Sequence, residues 1–223
     1  ISEKFNTPIY LLVKKSSKAD QFLCHTEYIN KIIFLDRDSK KVGRHDGVMG
    51  SLRLVQDLKK FKFNKVFIFN SSLRYNIITR LSGIKEIYQY PLFKKQNQLI
   101  NKPAIDLIKK KLNLDVNNNP KIEIDRNLEK LAIAKYDIDK NKLNILLAIG
   151  GSGPTKRIPT NTFLSVIKKI NNIKDCKFFL ATGKNENEQI ILNQIMSSEF
   201  KEKCIPLDNL TIAETLPVIK NCN

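Results

Sequence analysis

The sequence predicts an α/β protein made of two Rossmann-like halves with parallel sheets. Three observations predict it. Short apolar runs of strand length alternate with helix-like segments of about ten residues, the rhythm of βαβ units. The runs fall into two sets, and the stretch between them, DVNNNPKIEI (115–124), holds three consecutive asparagines and a proline, the strongest boundary signal in the chain. A glycine-rich turn, IGGSGPTKRIP (149–159), follows the strongest strand of the second set. The expected division is residues 1–118 and 119–223, with a cleft between the halves and no sequence repeat relating them.

In the first half, PIYLLV (8–13) has the length of a buried strand. SSKADQFLCHT offers Ser16 or Ser17 as a helix cap. KIIFLD (31–36) is a second strand. DGVMGSLRLVQDLKKF (46–61) is a helix whose face carries Val48, Leu52, Val55 and Leu58, with Asp46 placed as its N-cap. KVFIFN (65–70) is a strand rich in β-branched and aromatic residues. SLRYNIITRLSG (72–83) is a helix with Gly83 just past its end. IKEIYQY is strand-like, and KPAIDLIKKKLNL (102–114) is a helix with Pro103 in its first turn.

In the second half, RNLEKLAIAKYDI is a helix and KLNILLAIG (142–150) a strand. PTNTFLSVIKKI (159–170) is a helix opened by Pro159 and Thr160. KFFLATG (177–183) is a strand, ENEQIILNQIM a helix, KCIPL a short strand and TIAETLPVIKNC a closing helix.

Composition narrows the class. Hydrophobic residues make up 42% of the 223, which suits a folded domain. No apolar run approaches the ~18–20 residues that cross a bilayer, and ISEKFNTP holds no signal-peptide core. The four cysteines are dispersed without a C-x-x-C pair, and with two histidines they read as reduced thiols of a cytoplasmic protein and not as a metal site. The net charge of +17 points to an anionic partner: nucleic acid, an anionic membrane or a phosphorylated substrate. Abundant Lys, Asn and Ile, the residues of A/T-rich codons, offer a second account of that excess, as charge spread over solvated faces. A chain that starts at Ile1 and stops straight after a helix-like segment reads as a fragment.

The glycine-rich turn carries the clearest chemistry. Gly150, Gly151 and Gly153 let the backbone approach a ligand, the following helix presents free N–H groups, and Ser152, Thr155 and Lys156 add hydroxyls and a mobile charge. Together these suit a diphosphate. The turn matches neither G-x-x-x-x-G-K-[ST] nor G-x-G-x-x-G, so a plain strand-to-helix turn with a solvated lysine stays open. At the end of the next strand, ATGKNENEQ (181–189) offers Glu186 or Glu188 to ribose hydroxyls, or as helix-start carboxylates. In the first half, Ser71, Ser72 and Arg74 follow a strand and can line the cleft, and Arg80 reads as solvated. His45 beside Asp46 is the one tempting acid/base pair. Adjacent residues do not face one another on a helix, which argues against catalysis.

Four stretches together resemble a known family. LLAIGGSGPTKRIPTNTFLSVIKKI is similar to its strand, Gly-Ser/Thr turn, Lys-x-Trp-Pro and helix; FFLATGKNENEQ to its Gly-Gly-x-x-Glu turn; IPLDNLTIAETLPVIKNCN to its leucine-patterned stretch; and FNKVFIFNSSLRYNIITRLSGIKEIY to its first-domain strand and Ser-rich helix. The family is that of the heptosyltransferase-type glycosyltransferases, the ADP-heptose:lipopolysaccharide heptosyltransferases of glycosyltransferase family 9. The resemblance implies a GT-B arrangement and an inverting transfer of heptose or a similar sugar from a nucleotide-diphosphate donor such as ADP-heptose to a lipopolysaccharide-core-type glycolipid. It implies a cytoplasmic enzyme in peripheral contact with the inner membrane, with no metal, no cofactor and no nucleic-acid partner. Carried over, Gly151, Ser152, Thr155, Lys156 and Glu186 bind the donor, with Lys156 neutralising the diphosphate, and Ser72 and Arg74 lie on the acceptor side. Ile158 stands where the family has tryptophan. The family's general base is expected upstream of residue 1 and its Asp-Thr-Gly-x-x-His stretch downstream of residue 223, so the fragment alone is expected to be inactive. Two alternatives are a basic nucleic-acid-binding α/β module, which a salt titration of RNA binding would reveal, and a non-catalytic relative.

Overall fold

The alternation of strands and helices is borne out in a computed structural model, which describes residues 1–37, 42–91, 101–117, 119, 121–151 and 156–223. In chain order the elements are α1 (Ser2–Phe5), β1 (Ile9–Lys14), β2 (Ile29–Leu35), α2 (Gly47–Lys59), β3 (Lys65–Ile68), α3 (Leu73–Leu81), β4 (Glu86–Gln89) and α4 (Lys102–Leu112). They continue as α5 (Arg126–Lys135), β5 (Leu143–Ala148), α6 (Thr160–Asn171), β6 (Cys176–Thr182), α7 (Glu186–Met196), β7 (Cys204–Asp208) and α8 (Ile212–Lys220). The strands form three sheets, in the orders β1-β2, β3-β4 and β5-β6-β7. Two compact units result. One contains Ile1–Ile9, Lys18–Ile32 and Ile122–Asn223; the other contains Tyr10–Ser17 and Ile33–Lys121.

The unit that includes Ile122–Asn223 is built on the parallel sheet β5-β6-β7, in which Leu143 pairs with Cys176 and Phe178 with Cys204. Strand side chains alternate between faces, so the continuous apolar run of β6 buries both. Phe178 and Leu180 point to one side, where they meet Phe163 and Ile167 of α6 and Leu192 and Ile195 of α7. Phe179 points to the other, against Ala132 of α5 and Val218 of α8. All three β6 side chains are fully buried, each stabilising the fold by about 1.5–3 kcal/mol.

The helices of this unit start on side-chain caps. Asp125 accepts hydrogen bonds from the N–H groups of Asn127 and Leu128 at the head of α5. Asn185 accepts from the Asn187 N–H at α7, and Thr211 and Glu214 form a capping box at α8.

The second unit has a core of Leu35, Leu54, Val55, Leu58 and Ile78, so β2, α2 and α3 pack together. β3 and β4 pair in parallel with Phe67 opposite Tyr88. Gly83 follows α3 at φ 84°, the left-handed turn expected of a glycine there.

Three sequence expectations need correction in this part of the chain. The Ser16–Ser17 region does not cap an α-helix. It forms 3-10 turns at Lys15–Ser17 and Ala19–Gln21, because Lys18 lies in the left-handed region at φ 51° and Ser17 Oγ donates back to the Lys14 carbonyl at 2.6 Å. The inward face of α2 is not Val48, Leu52, Val55 and Leu58. Gly50, Leu54, Val55 and Leu58 are buried, while Val48 and Leu52 face solvent. The helix start lies close to the His45 backbone, where a Cβ on Gly50 would come within 2.2 Å, and Leu54, Val55 and Leu58 pack against Leu35 and Ile78. Asp46 occupies the N-cap position but its side chain does not cap; it accepts from the Gly43 N–H at 2.7 Å and from Arg37 Nε at 3.0 Å.

Candidate functional site

An open parallel sheet offers ligands the carboxyl ends of its strands. In the β5-β6-β7 sheet those ends are Ile149-Gly150-Gly151, Thr182-Gly183 and Asp208-Asn209. Ile149 is buried and its N–H donates to the Ala181 carbonyl at 2.9 Å, which fixes the base of the first turn.

The two glycine turns are held together by one carboxylate. Glu188, in the first turn of α7, is only 9% exposed. Its Oε2 accepts the Gly183 N–H at 2.7 Å. A Cβ on Gly183 would lie 3.1 Å from the same oxygen, and a Cβ on Gly150 would lie 3.1 Å from it and 3.2 Å from the other oxygen. The carboxylate therefore fills the space that both glycines leave open. Gly151 approaches another backbone: its Cβ would come 2.9 Å from the Lys156 carbonyl oxygen. Lys156 thus lies beside Gly151, with an exposed side chain.

Next to Lys156, the Arg157 Nε is buried without a hydrogen-bond partner among the described residues. Buried polar atoms are normally satisfied, so an orphaned guanidinium N–H beside a glycine turn is a place for an anion. The third strand end is polar. Gln189 Nε2 donates to the Gly183 carbonyl at 2.9 Å and to Asp208 Oδ1 at 2.6 Å, and Thr182 Oγ1 donates to the same Asp208 oxygen at 3.0 Å.

Of the expected donor residues, Gly151 and Lys156 sit at this turn. Ser152 and Thr155 lie outside the described residues. Glu186 is exposed at the start of α7, whereas Glu188 is the buried carboxylate between the turns. Glu188, Leu192 and Ile195 are spaced i, i+4, i+7, a sequence signal that puts a glutamate on the buried face of α7. Arg157, Gln189 and Asp208 carry no sequence signal beyond their positions near strand ends.

In the second unit, Ser72 and Arg74 open α3. The Ser72 N–H donates to Asn70 Oδ1 at 2.8 Å and its carbonyl accepts from Gln89 Nε2 at 2.9 Å, while its hydroxyl leaves the helix start uncapped. Arg74 Nη2 donates to the His45 carbonyl, and its Nε is buried without a partner among the described residues. His45 is buried as a strut. Its Nδ1 accepts the Asp36 N–H at 3.0 Å, so the neutral ring carries its proton on Nε2, which faces Asp57 Oδ2 at 3.2 Å. Burial raises the Asp57 pKa, but hydrogen bonds from Arg44, His45 and Lys60 outweigh it and hold the carboxyl at about 2. Asp46 is also held below the usual range, first by the Gly43 N–H and then by Arg37. His45 and Asp46 thus serve separate networks and do not form an acid/base pair.

The described residues contain no group of three His, Cys, Asp or Glu side chains able to hold a metal ion. No helix among them is long and apolar enough to cross a membrane.

This is an α/β protein whose three-stranded parallel sheet carries glycine turns at its strand ends, with Lys156 exposed beside one of them and the buried Arg157 Nε next to it. No family model matches the sequence, and no curated protein sequence matches it significantly. Solved structures do. A glycosyl transferase family 9 protein from Veillonella parvula DSM 2008 superposes with a TM-score of 0.76 at 14% identity, over 97% of this chain and 65% of that one. The ADP-heptose lps heptosyltransferase II of E. coli gives 0.68 at 11% identity, over 97% and 68%. The E. coli heptosyltransferase WaaC, solved with ADP-2-deoxy-2-fluoro heptose, gives 0.57 at 9% identity, over 96% and 81%. The chain has the fold of these glycosyltransferases and spans 65% of the length of the first.

Proposed function

We propose that this chain holds the donor and acceptor units of a glycosyltransferase of the heptosyltransferase type. The reaction is the inverting transfer of heptose or a similar sugar from a nucleotide-diphosphate donor, such as ADP-heptose, to a lipopolysaccharide-core-type glycolipid on the inner membrane face. The observation that carries the reading is the pair of glycine turns braced by Glu188, with Lys156 and the unpartnered Arg157 Nε at the rim. The fold shared with a family 9 glycosyl transferase and two heptosyltransferases supports it.

In this reading Glu188 positions the turns and does not touch the sugar. Lys156 and Arg157 neutralise the diphosphate, which gains charge as the glycosidic bond breaks, so their contribution grows in the transition state. Ser152 and Thr155 add hydroxyl contacts, and Glu186 or the Gln189–Asp208 pair meets the nucleoside. Ser72 and Arg74 take the acceptor. Charge neutralisation falls to side chains, and no metal or cofactor is assigned. The general base that deprotonates the acceptor hydroxyl is not assigned to any residue of this chain, and turnover is proposed for a longer protein that contains it.

Calorimetric titration with ADP tests the reading. The unaltered chain is expected to bind, and Lys156→Ala to weaken binding by about 1–3 kcal/mol, the worth of a hydrogen bond to a charged group. Equal affinity in the variant would remove Lys156 from the site, and no binding to either protein would sink the donor reading.

A further inference from the structure

The β3–β4 pair carries two rungs of aromatic rings on one face. Residues two apart on a strand share a face, so Lys65, Phe67 and Phe69 line up along β3 and its extension, and Glu86, Tyr88 and Tyr90 along β4 and its extension. The Tyr90 N–H donates to the Ile68 carbonyl at 3.2 Å, which carries the pairing one residue past the strands. The inner rung is closed. Phe67 and Tyr88 stack at 5.0 Å, the Lys65 and Lys111 ammonium groups each lie 6.0 Å from the Tyr88 ring centre, and the Tyr88 hydroxyl donates to Glu86 Oε2 at 2.9 Å. The outer rung is open. Phe69 meets Tyr90 edge-on, with ring centres 5.8 Å apart and planes at 68°, so each ring keeps at least one face that the other does not cover. Phe69 is 47% exposed.

The loop that follows Phe69 is pinned. Gln89 Nε2 donates to the Asn70 carbonyl at 2.8 Å and to the Ser72 carbonyl at 2.9 Å, and Gln89 Oε1 accepts from Asn76 Nδ2 at 2.8 Å. The Ser72 N–H closes an Asx turn on Asn70 Oδ1 at 2.8 Å. Polar groups are left over at the surface: among the described residues the Asn70 amide nitrogen and the Ser72 and Tyr90 hydroxyls make no hydrogen bond. A fixed loop presents them without a further ordering cost on binding.

The chemistry of this strand end selects the ligand. Phe69-Asn70-Ser71-Ser72 and Gln89-Tyr90-Pro91 are uncharged, in a chain whose net charge is +17. A site for a nucleobase on its phosphate backbone would be lined with cations. An open aromatic face beside amide and hydroxyl groups suits a sugar ring instead. The C–H face of the sugar is attracted to the negative face of the aromatic ring, and its hydroxyls pair with groups that donate and accept.

We infer that Phe69 and Tyr90 form a stacking platform for a sugar ring, with Asn70 and Ser72 hydrogen-bonding its hydroxyls. The inference rests on the proposed glycolipid acceptor and specifies how the second unit meets it, through the face of a sugar ring. Its chemistry does not involve the donor turns.

Calorimetric titration of the full chain with a deacylated, dephosphorylated lipopolysaccharide-core oligosaccharide tests it. The oligosaccharide is expected to bind, and Phe69→Ala to weaken binding about tenfold, a loss of about 1.4 kcal/mol. Phe69→Leu keeps apolar bulk but has no ring face and is expected to weaken binding as much, whereas Phe69→Trp should bind at least as tightly as the unaltered chain. The chain contains no tryptophan, so the emission of Phe69→Trp reports on position 69 alone. It should shift with the oligosaccharide and stay unchanged with inorganic phosphate. ADP affinity should not move in any of these variants, which also checks that they fold. A chain that binds ADP but not the oligosaccharide overturns the platform and leaves the donor reading standing; one that binds the oligosaccharide through Phe69 but not ADP does the reverse. Undiminished binding by Phe69→Ala, or full affinity in Phe69→Leu, also overturns the inference. So does emission of Phe69→Trp that responds to AMP and not to the oligosaccharide, the result expected of a nucleobase site.

Discussion

The Gly183 N–H donates to Glu188 Oε2 at 2.7 Å, and the same carboxylate lies against Gly150 on the neighbouring strand end. One buried side chain thus spaces two turns that come from different strands. Glu188→Gln keeps the volume but replaces the anionic acceptor by a neutral amide, so the variant is expected to lose about 1–3 kcal/mol of stability in a urea titration. Its ADP affinity should fall as well, because both turns shift. A Glu188→Gln protein unchanged in both respects would show that the brace contributes nothing.

The two glycines of the first turn should respond differently. A methyl on Gly150 meets a carboxylate that can yield by a few tenths of an ångström; a methyl on Gly151 meets the Lys156 backbone carbonyl at 2.9 Å, which cannot yield without moving Lys156. Gly151→Ala is therefore expected to cost ADP affinity about as much as Lys156→Ala, roughly 1–3 kcal/mol, with a smaller effect on stability. Gly150→Ala is expected to lower stability more than affinity. Calorimetry with ADP and urea unfolding on both variants check the contrast.

Acid should weaken the second unit through Asp57. Its carboxyl is held at about 2, below the ~3.9 of an unfolded aspartate, and its side chain is 23% exposed. The depressed pKa contributes stability that is fully present above about pH 4 and is lost as pH falls through about 2, in total roughly 2 kcal/mol. Asp57→Asn removes that component and unpairs Arg44 and His45. The difference in stability between the two proteins, read by denaturant titration from neutral pH downward, should shrink between about pH 4 and pH 2. A difference that stays constant over that range would show that Asp57 is not coupled to the fold.

The parts of the fold legible in the sequence are those that hydrophobic period alone determines. KFFLATG reads as a strand from its apolar run, and Phe178 and Phe179 are buried on opposite sides of the sheet. Gly83 marked the end of α3 because a left-handed turn there favours glycine. The phase of α2 was not legible. Val48, Leu52, Val55 and Leu58 make as regular a stripe as Gly50, Leu54 and Leu58, and Gly50 has no side chain to enter a hydrophobic count. The site divides in the same way. A glycine turn after a strong strand is a local signal, and it pointed to Gly151 and Lys156. The orphaned Arg157 and the contact of Gly150 with Glu188 arise only when separate strand ends are brought together.

Thiol reactivity offers a probe of the core that involves no ligand. Cys176 and Cys204 lie buried in one apolar cluster on β6 and β7. Burial pushes Cys204 up to about 11, with Cys176 adding to the effect, and burial raises Cys176 itself. Burial also pushes Cys222 up to about 11, whereas Cys24 is exposed. The reactive species is the thiolate, so near pH 8 these three groups combine a low thiolate fraction with restricted access. A disulfide reagent is expected to modify one thiol quickly and three slowly, and Cys24→Ser should remove the fast phase. Denaturant should bring the slow three to the rate of the first, because unfolding supplies both access and an ordinary pKa. Two or more fast thiols in the native chain would mean that β6 and β7 open far more readily than a sheet covered by α6 and α7 on one side and by α5 and α8 on the other should allow.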